Sequence, residues 1–238
     1  MCNTRAIISR YTRTAFANRN VQRSTSTIFS AGEHDAIPGW ALGWIYCLEH
    51  ANVDWSSKAC WQVAASSQSA CGHGLAGLFA ADGRTPQHTY WVYRAYGQLP
   101  PRRVRTKIAN PRTVALAARN DAAHELRILV GRYSCGKNQR WCLFSDRYVG
   151  DEPNAPAHVE IKVPAFPYRA RVVQVHAQRI PNQGIPGPLA APQSLPVWNV
   201  NVKQGRVTVK LDVVGDGDVY LLTLRPQNLL SDRRAKPR

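Results

Sequence analysis

A chain of 238 residues has room for one or two domains and for a substantial hydrophobic core. Its 44% hydrophobic and 9% aromatic content excludes wholesale disorder. No apolar run is long enough to cross a bilayer: the longest, Ala36 to Cys47, is interrupted by Pro38 and Gly39.

The net charge of +16 is unevenly placed. Residues 1–32 carry five arginines and no acid, residues 98–140 ten Lys/Arg against Asp121 and Glu125, and residues 231–238 four against Asp232. These stretches hold the whole excess, at two ends and one joint. A nucleic-acid binder interleaves basic residues with stacking aromatics on one face, so no specific nucleic-acid partner is expected and the plain reading is a basic surface. Polyanion binding through residues 98–140 stays open as a second alternative function.

Residues 1–32 read as a basic, disordered arm. The composition also matches an organellar transit peptide, and no secretory hydrophobic core follows the first charges. A helix follows from near Asp35 to near His50, with Asp35 as N-cap and Pro38 in the first turn. Ile37, Ala41, Trp44, Ile45 and Leu48 form its apolar face. Lys58 to Val63 is a short strand, and Ala64 to Gly77 a loop. An Asp82-Gly83 turn leads to a second helix, Pro86 to Tyr96, with Thr85 as its cap and Gly97 at its end. The order helix, strand, loop, helix is α/β in character.

Pro100-Pro101-Arg102-Arg103 breaks this pattern and marks a boundary. Seven short β-rich segments follow: Thr113–Arg119, Leu126–Ser134, Arg140–Phe144, Val159–Val163, Arg171–Gln178, Arg206–Val213 and Val219–Leu224. In the fifth, Val172, Gln174, His176 and Gln178 alternate against Arg171, Val173, Val175 and Ala177. Asp216-Gly217 is a hairpin signal. The Pro-rich stretch Ile180 to Pro196 reads as a crossing loop. This is an antiparallel β-sandwich, giving an α+β chain divided into an arm (1–32), a helix–strand–helix unit (33–99), a sandwich (100–226) and a basic tail (227–238).

Six cysteines, at 2, 47, 60, 71, 135 and 142, are too few for a disulfide scaffold and show no CxxC spacing, so no zinc site is expected. Cys135 and Cys142 flank a loop and face each other across it or remain thiols; the redox compartment stays open. Asp216 and Asp218 at one tight turn fall far short of a calcium loop and read as turn formers. No metal or cofactor is expected. His34 and His50 read as helix-end residues and His73 as a solvated loop histidine.

From Asp35 to about Leu224 the chain resembles the C-terminal part of a clan A retaining glycoside hydrolase, most like family 39. The residues that carry the resemblance are Leu48-Glu49-His50-Ala51-Asn52-Val53-Asp54, Cys60-Trp61, Gly77-Leu78-Phe79, Asp82-Gly83, Pro86 and Tyr90-Trp91-Val92-Tyr93. Leu129-Val130-Gly131-Arg132-Tyr133-Ser134 and Asp216-Gly217-Asp218-Val219-Tyr220 resemble strands of that family's accessory sandwich. The resemblance implies the end of an (α/β) barrel followed by the sandwich, and hydrolysis of O-glycosidic bonds with retention.

That chemistry needs one carboxyl group to protonate the leaving oxygen and a second, roughly 5 Å away, to attack the anomeric carbon. In the family the acid belongs to an Asn-Glu pair after the fourth barrel strand, and the chain contains no such pair. The nucleophile is a Glu ahead of the first helix, where Glu33 is the only candidate, against a plain reading as a helix-end charge. Trp61 would lie at the C-terminal end of the eighth strand, where an aromatic stacks on the sugar; its plain reading is core packing. The expected function is therefore glycoside hydrolase-like and inactive alone. A non-catalytic sandwich binding carbohydrate or protein is the first alternative. Carbohydrate is the expected partner, and the sequence assigns neither oligomeric state nor location.

Overall fold

The computed structural model describes residues 25–28, 37–50, 55–58, 78–80, 82, 84–110, 112–132, 155–183 and 191–227. Its core is a seven-stranded antiparallel sheet with helices on one face and a two-stranded sheet on the other.

The first part of the chain is a parallel pair of strands joined through a helix. Strand β1 (Thr25–Ile28) pairs with β2 (Trp55–Lys58), Thr25 opposite Trp55 and Ile28 opposite Lys58. Helix α1 (Pro38–His50) lies between them in sequence. Parallel neighbours require such a crossover, because a tight turn joins only antiparallel ones. Two expectations are corrected. Four residues of the supposed basic arm form β1, and β2 begins three residues before the strand expected at Lys58 to Val63, sharing only Lys58 with it; residues 59–63 lie outside the described residues.

Helix α2 (His88–Gly97) starts two residues later than its sequence signals suggested. Thr85 is not its cap. The Thr85 hydroxyl donates to Asp82, whose other carboxylate oxygen accepts the N–H groups of Arg84 and Thr85 at 2.8 Å each. Pro86 is held in a β-bridge with Phe79, closed by Ala80 N–H to Thr85 O and Gln87 N–H to Leu78 O. This extended clamp delays the helix, and Gln87 becomes an N-cap without a side-chain bond. At the other end Gly97 is the last helical residue and Gln98 is the C-cap.

The sheet runs β3 (Arg102–Val104), β4 (Thr113–Asn120), β5 (Glu125–Arg132), β11 (Val219–Pro226), β7 (Val172–Ile180), with β8 (Gln193–Ser194) and β9 (Trp198–Asn201) both on the far side of β7. Strand β10 (Val207–Val214) pairs with β6 (Ala157–Val163) to form the smaller sheet. The sandwich is thus as read, with three short edge strands added. Strand β3 is Arg-rich, β8 lies inside the stretch Ile180 to Pro196 read as a loop, whose prolines restrict it to the edge, and β9 follows just after that stretch. The segment Arg140–Phe144 lies outside the described residues.

Alternation explains the layering. Val207, Val209 and Leu211 of β10 point inward while Thr208, Lys210 and Asp212 face solvent. Strands β4, β5 and β11 are apolar on both faces, as strands covered on two sides must be. Leu126, Ile128, Val130, Val173, Val175, Leu222 and Leu224 meet the smaller sheet. On the opposite face Val114, Leu116, Ala118, Leu129, Val219 and Leu221 meet Leu42, Trp44 and Ile45 of α1 and Trp91, Val92 and Ala95 of α2. The aromatic residues of the helical part, Trp40, Trp44, Tyr90 and Trp91 among them, therefore pack on the sandwich. Cys47 is fully buried in this layer and disulfide-bonded; every other cysteine, including Cys135 and Cys142, lies outside the described residues.

Candidate functional site

The two residues singled out at the sequence level, Glu33 and Trp61, lie outside the described residues, as do His34 and His73. In chain order Glu33 falls between β1 and α1, and Trp61 between β2 and α2. In an α/β barrel the strand-to-helix connections form the catalytic face. His50 is a helix-end residue as expected: it closes α1, and its Nδ1 bonds the carbonyl of Tyr46 at 2.8 Å.

Most of the described carboxylates are engaged in building the fold. Glu49 accepts from the Tyr96 hydroxyl at 2.7 Å and pairs with Arg103 at 2.9 Å. Asp121 pairs with Arg102 and Arg119, and Glu160 with Lys162. Asp82 closes the turn before α2, where the Thr85 hydroxyl and the two N–H groups hold its carboxyl down at about 2. Among the described residues no group of three or more His, Cys, Asp or Glu gathers as a metal site would require, and no helix is long and apolar enough to cross a membrane.

Asp218 is a turn residue, as read, but one with a larger role. Its side chain is 2% exposed. It accepts the N–H of Asn182 at 2.7 Å and that of Gly215 at 3.1 Å, and pairs with Arg179 at 2.9 Å. The turn 215–218 is not a hairpin, because β10 and β11 belong to different sheets. It is an arch, and its backbone is captured from both sides. Gly217 donates to Arg132 O at 2.9 Å, Asp218 O accepts from Arg132 N–H, and Gly217 O accepts from Gly39 N–H at 2.7 Å. Gly217 has φ +81°, and a Cβ there would stand 2.4 Å from Asn182 Nδ2. The arch therefore ties the first turn of α1 to the sandwich, in place of the local pairing that an Asp-Gly signal suggests.

One polar groove opens on the helix-side face of the large sheet, beyond the end of α2. It has a volume of about 290 Å³. Thr223 of β11 lies between Arg127 of β5 and His176 of β7, directly opposite both. One row along, Leu221 lies opposite Gln178, and Gln178 opposite Ser194. Arg225 completes the lining. Beneath it Glu125, 2% exposed, bonds Arg127 at 2.6 Å and Arg225 at 3.1 Å. Arg127 also donates to the carbonyl of Gln98 at 2.6 Å, and the His176 ring bonds Gln174 at 2.8 Å. The alternation of Gln174, His176 and Gln178 is legible in the sequence, but no site was read from it. Nothing local to β7 shows that β5 and β11 bring two arginines to the same place.

A larger cleft, about 540 Å³, lies between the two sheets. Its floor is aliphatic, with Ala115, Ile128, Val130, Val159 and Ile161, and it is a gap in the sandwich core rather than a polar site.

No protein-family model and no curated protein matches the chain. Solved structures do. A protein from Neocallimastix frontalis superposes with a TM-score of 0.60 over 82% of this chain at 16% identity. A glucosidase from Croceicoccus marinus gives 0.58 over 86% at 14%, and the GH39 enzyme from Xanthomonas axonopodis pv. citri 0.53 over 82% at 17%. The chain spans 42%, 46% and 41% of those chains, less than half their length. At such identities the likeness is one of backbone architecture. The chain is similar in fold to the C-terminal part of clan A glycoside hydrolases.

Proposed function

We propose that this chain is a glycoside hydrolase-like scaffold, a barrel end over residues 33–99 and an accessory sandwich over 100–226, and that the 238-residue polypeptide does not hydrolyse glycosides by itself. The observation that carries this reading is the parallel β1–α1–β2 unit, followed by α2, with both helices seated on one sandwich. That is the arrangement expected where the last strands of a barrel meet an accessory domain, and it accords with the likeness in fold to a glucosidase and a GH39 enzyme. Retaining hydrolysis needs a proton donor and a nucleophile facing one sugar. Most of the described carboxylates instead hold turns, strands and helices together. Glu33 suits a charge facing the start of α1, whose first turn carries no acid of its own. By the resemblance Trp61 is the candidate for stacking on a sugar ring, so the reading retains carbohydrate as partner.

The test is incubation of the purified 238-residue polypeptide with nitrophenyl β-xyloside, β-glucoside and α-arabinofuranoside. The expected result is no release of nitrophenol above the blank. Turnover that disappears in Glu33→Gln would overturn the proposal.

A further inference from the structure

We propose that the polar groove on the helix-side face of the large sheet binds a hydroxylated carboxylate of the uronic-acid type. This site lies mainly on strands of the large sheet and does not rest on the hydrolase reading.

Charge selects the class of ligand. Two guanidinium groups, Arg127 and Arg225, flank the single buried carboxylate of Glu125. One positive charge is left uncompensated, which suits a monoanion. Arg127 spends its Nη atoms on Glu125 and Gln98, and its Nε is buried. Arg225 is different. It is 52% exposed and directs only Nε and Nη2 at Glu125, so its Nη1 is open to a ligand carboxylate.

Open hydrogen-bonding groups select the rest. The side chains of Thr223, Gln178 and Ser194 make no hydrogen bond among the described residues, yet the strand register sets all three on the same concave face. Two hydroxyls and an amide donate and accept, as vicinal sugar hydroxyls require. Leu195, Val197 and Leu221 give the groove an apolar side for a ring's C–H face. Among the described residues no Phe, Tyr or Trp lines it, so a neutral sugar has no broad stacking platform there and the charged group must supply the anchor. The volume is at the small end of ligand sites, roughly 300–1,000 Å³, and fits a short saccharide unit better than a polymer.

The probes are sodium D-glucuronate, D-glucose and sodium acetate, each titrated into the full chain at constant ionic strength and followed by amide chemical shifts. Glucuronate is expected to move the amides of Gln178, Ser194, Thr223 and Arg225, and to bind at least about tenfold more tightly than the other two. Arg225→Ala should abolish that preference. Because it also uncovers Glu125, Thr223→Val and Gln178→Ala, which break no bond, provide the second arm and should each weaken glucuronate about three- to tenfold. Equal binding of acetate would reduce the groove to a simple anion site. Equal binding of glucose, shifts elsewhere in the molecule, or no response would also overturn the proposal.

Discussion

At the scale of single residues, most of the described carboxylates act as structural acceptors, and two of them make opposite predictions about solvent. Asp82 is exposed, but its turn supplies two N–H groups and a hydroxyl that favour the ionised form. Its carboxyl is held at about 2, below the ordinary value near 3.9. Its contribution to the turn is therefore complete above pH ~4 and is lost as the pH falls toward about 2. A carboxyl ¹³C titration should show Asp82 half-protonated near 2; a midpoint near 4 would mean the turn does not hold in solution. Asp218 is buried, and its loss is felt at neutral pH. Asp218→Asn keeps the shape but leaves Arg179 without its partner and presents an amide to the N–H of Gly215 or Asn182. It should cost about 2–4 kcal/mol in urea unfolding. Tyr168 adds an alkaline limit. Its hydroxyl donates to the carbonyls of Asn120 and Glu125, and burial together with the charge of Asp121 pushes it up to about 12. A tyrosine raised from 10 stabilises the fold fully below pH ~10 and ceases to as the pH rises through about 12. Absorbance at the phenolate band should lose one late-ionising tyrosine in Tyr168→Phe.

At the scale of elements, what could be read from the sequence was what depends on local pattern. The apolar face Ala41, Trp44 and Ile45 gave α1 to within a few residues, and the alternation in β7 gave its faces. Signals that residues outside the motif decide were misread. Thr85 is a good cap in isolation, but Asp82 takes its hydroxyl and the bridge of Pro86 to Phe79 keeps the chain extended. Asp216-Gly217 is a good hairpin turn in isolation, but Arg132 and Gly39 bind its backbone and the strands part into different sheets. Of the candidate site, Glu33 and Trp61 came from resemblance alone, while the groove was invisible because its residues come from four strands, β5, β7, β8 and β11. The arch makes a sharp prediction about glycine. A Cβ on Gly39 would stand 1.8 Å from the carbonyl oxygen of Arg132, whereas one on Gly97 meets nothing within 4 Å. Gly39→Ala must push α1 off the arch and should destabilise by about 3 kcal/mol or more. Gly97→Ala, at a helical position with room, should stabilise by about 0.5 kcal/mol. Thermal melts of the two variants should move in opposite directions.

At the scale of the whole molecule, the helical part and the sandwich share one core, and that decides how the protein comes apart. A sandwich normally has one inner face per sheet, with polar residues outward. Here the outer face of the large sheet is apolar where the helices lie: Val114, Leu116, Leu129, Val219 and Leu221 are each 5% exposed or less because α1 and α2 cover them. Removing the helices would open a contiguous aliphatic surface of the kind soluble monomers avoid. Leaving the sandwich would in turn strip Leu42, Trp44 and Trp91 of their only described partners outside the helices. Neither layer has a stable state without the other, so both should be lost in one step. Hydrogen exchange in rising urea is the measurement that reads each layer separately. The amides of α1, on one side of the large sheet, and of β10, on the other, should reach the same opening free energy and the same urea dependence. If α1 opens at a clearly lower urea concentration while β10 stays protected, the helices are a loosely docked appendage and the shared core is not what holds them.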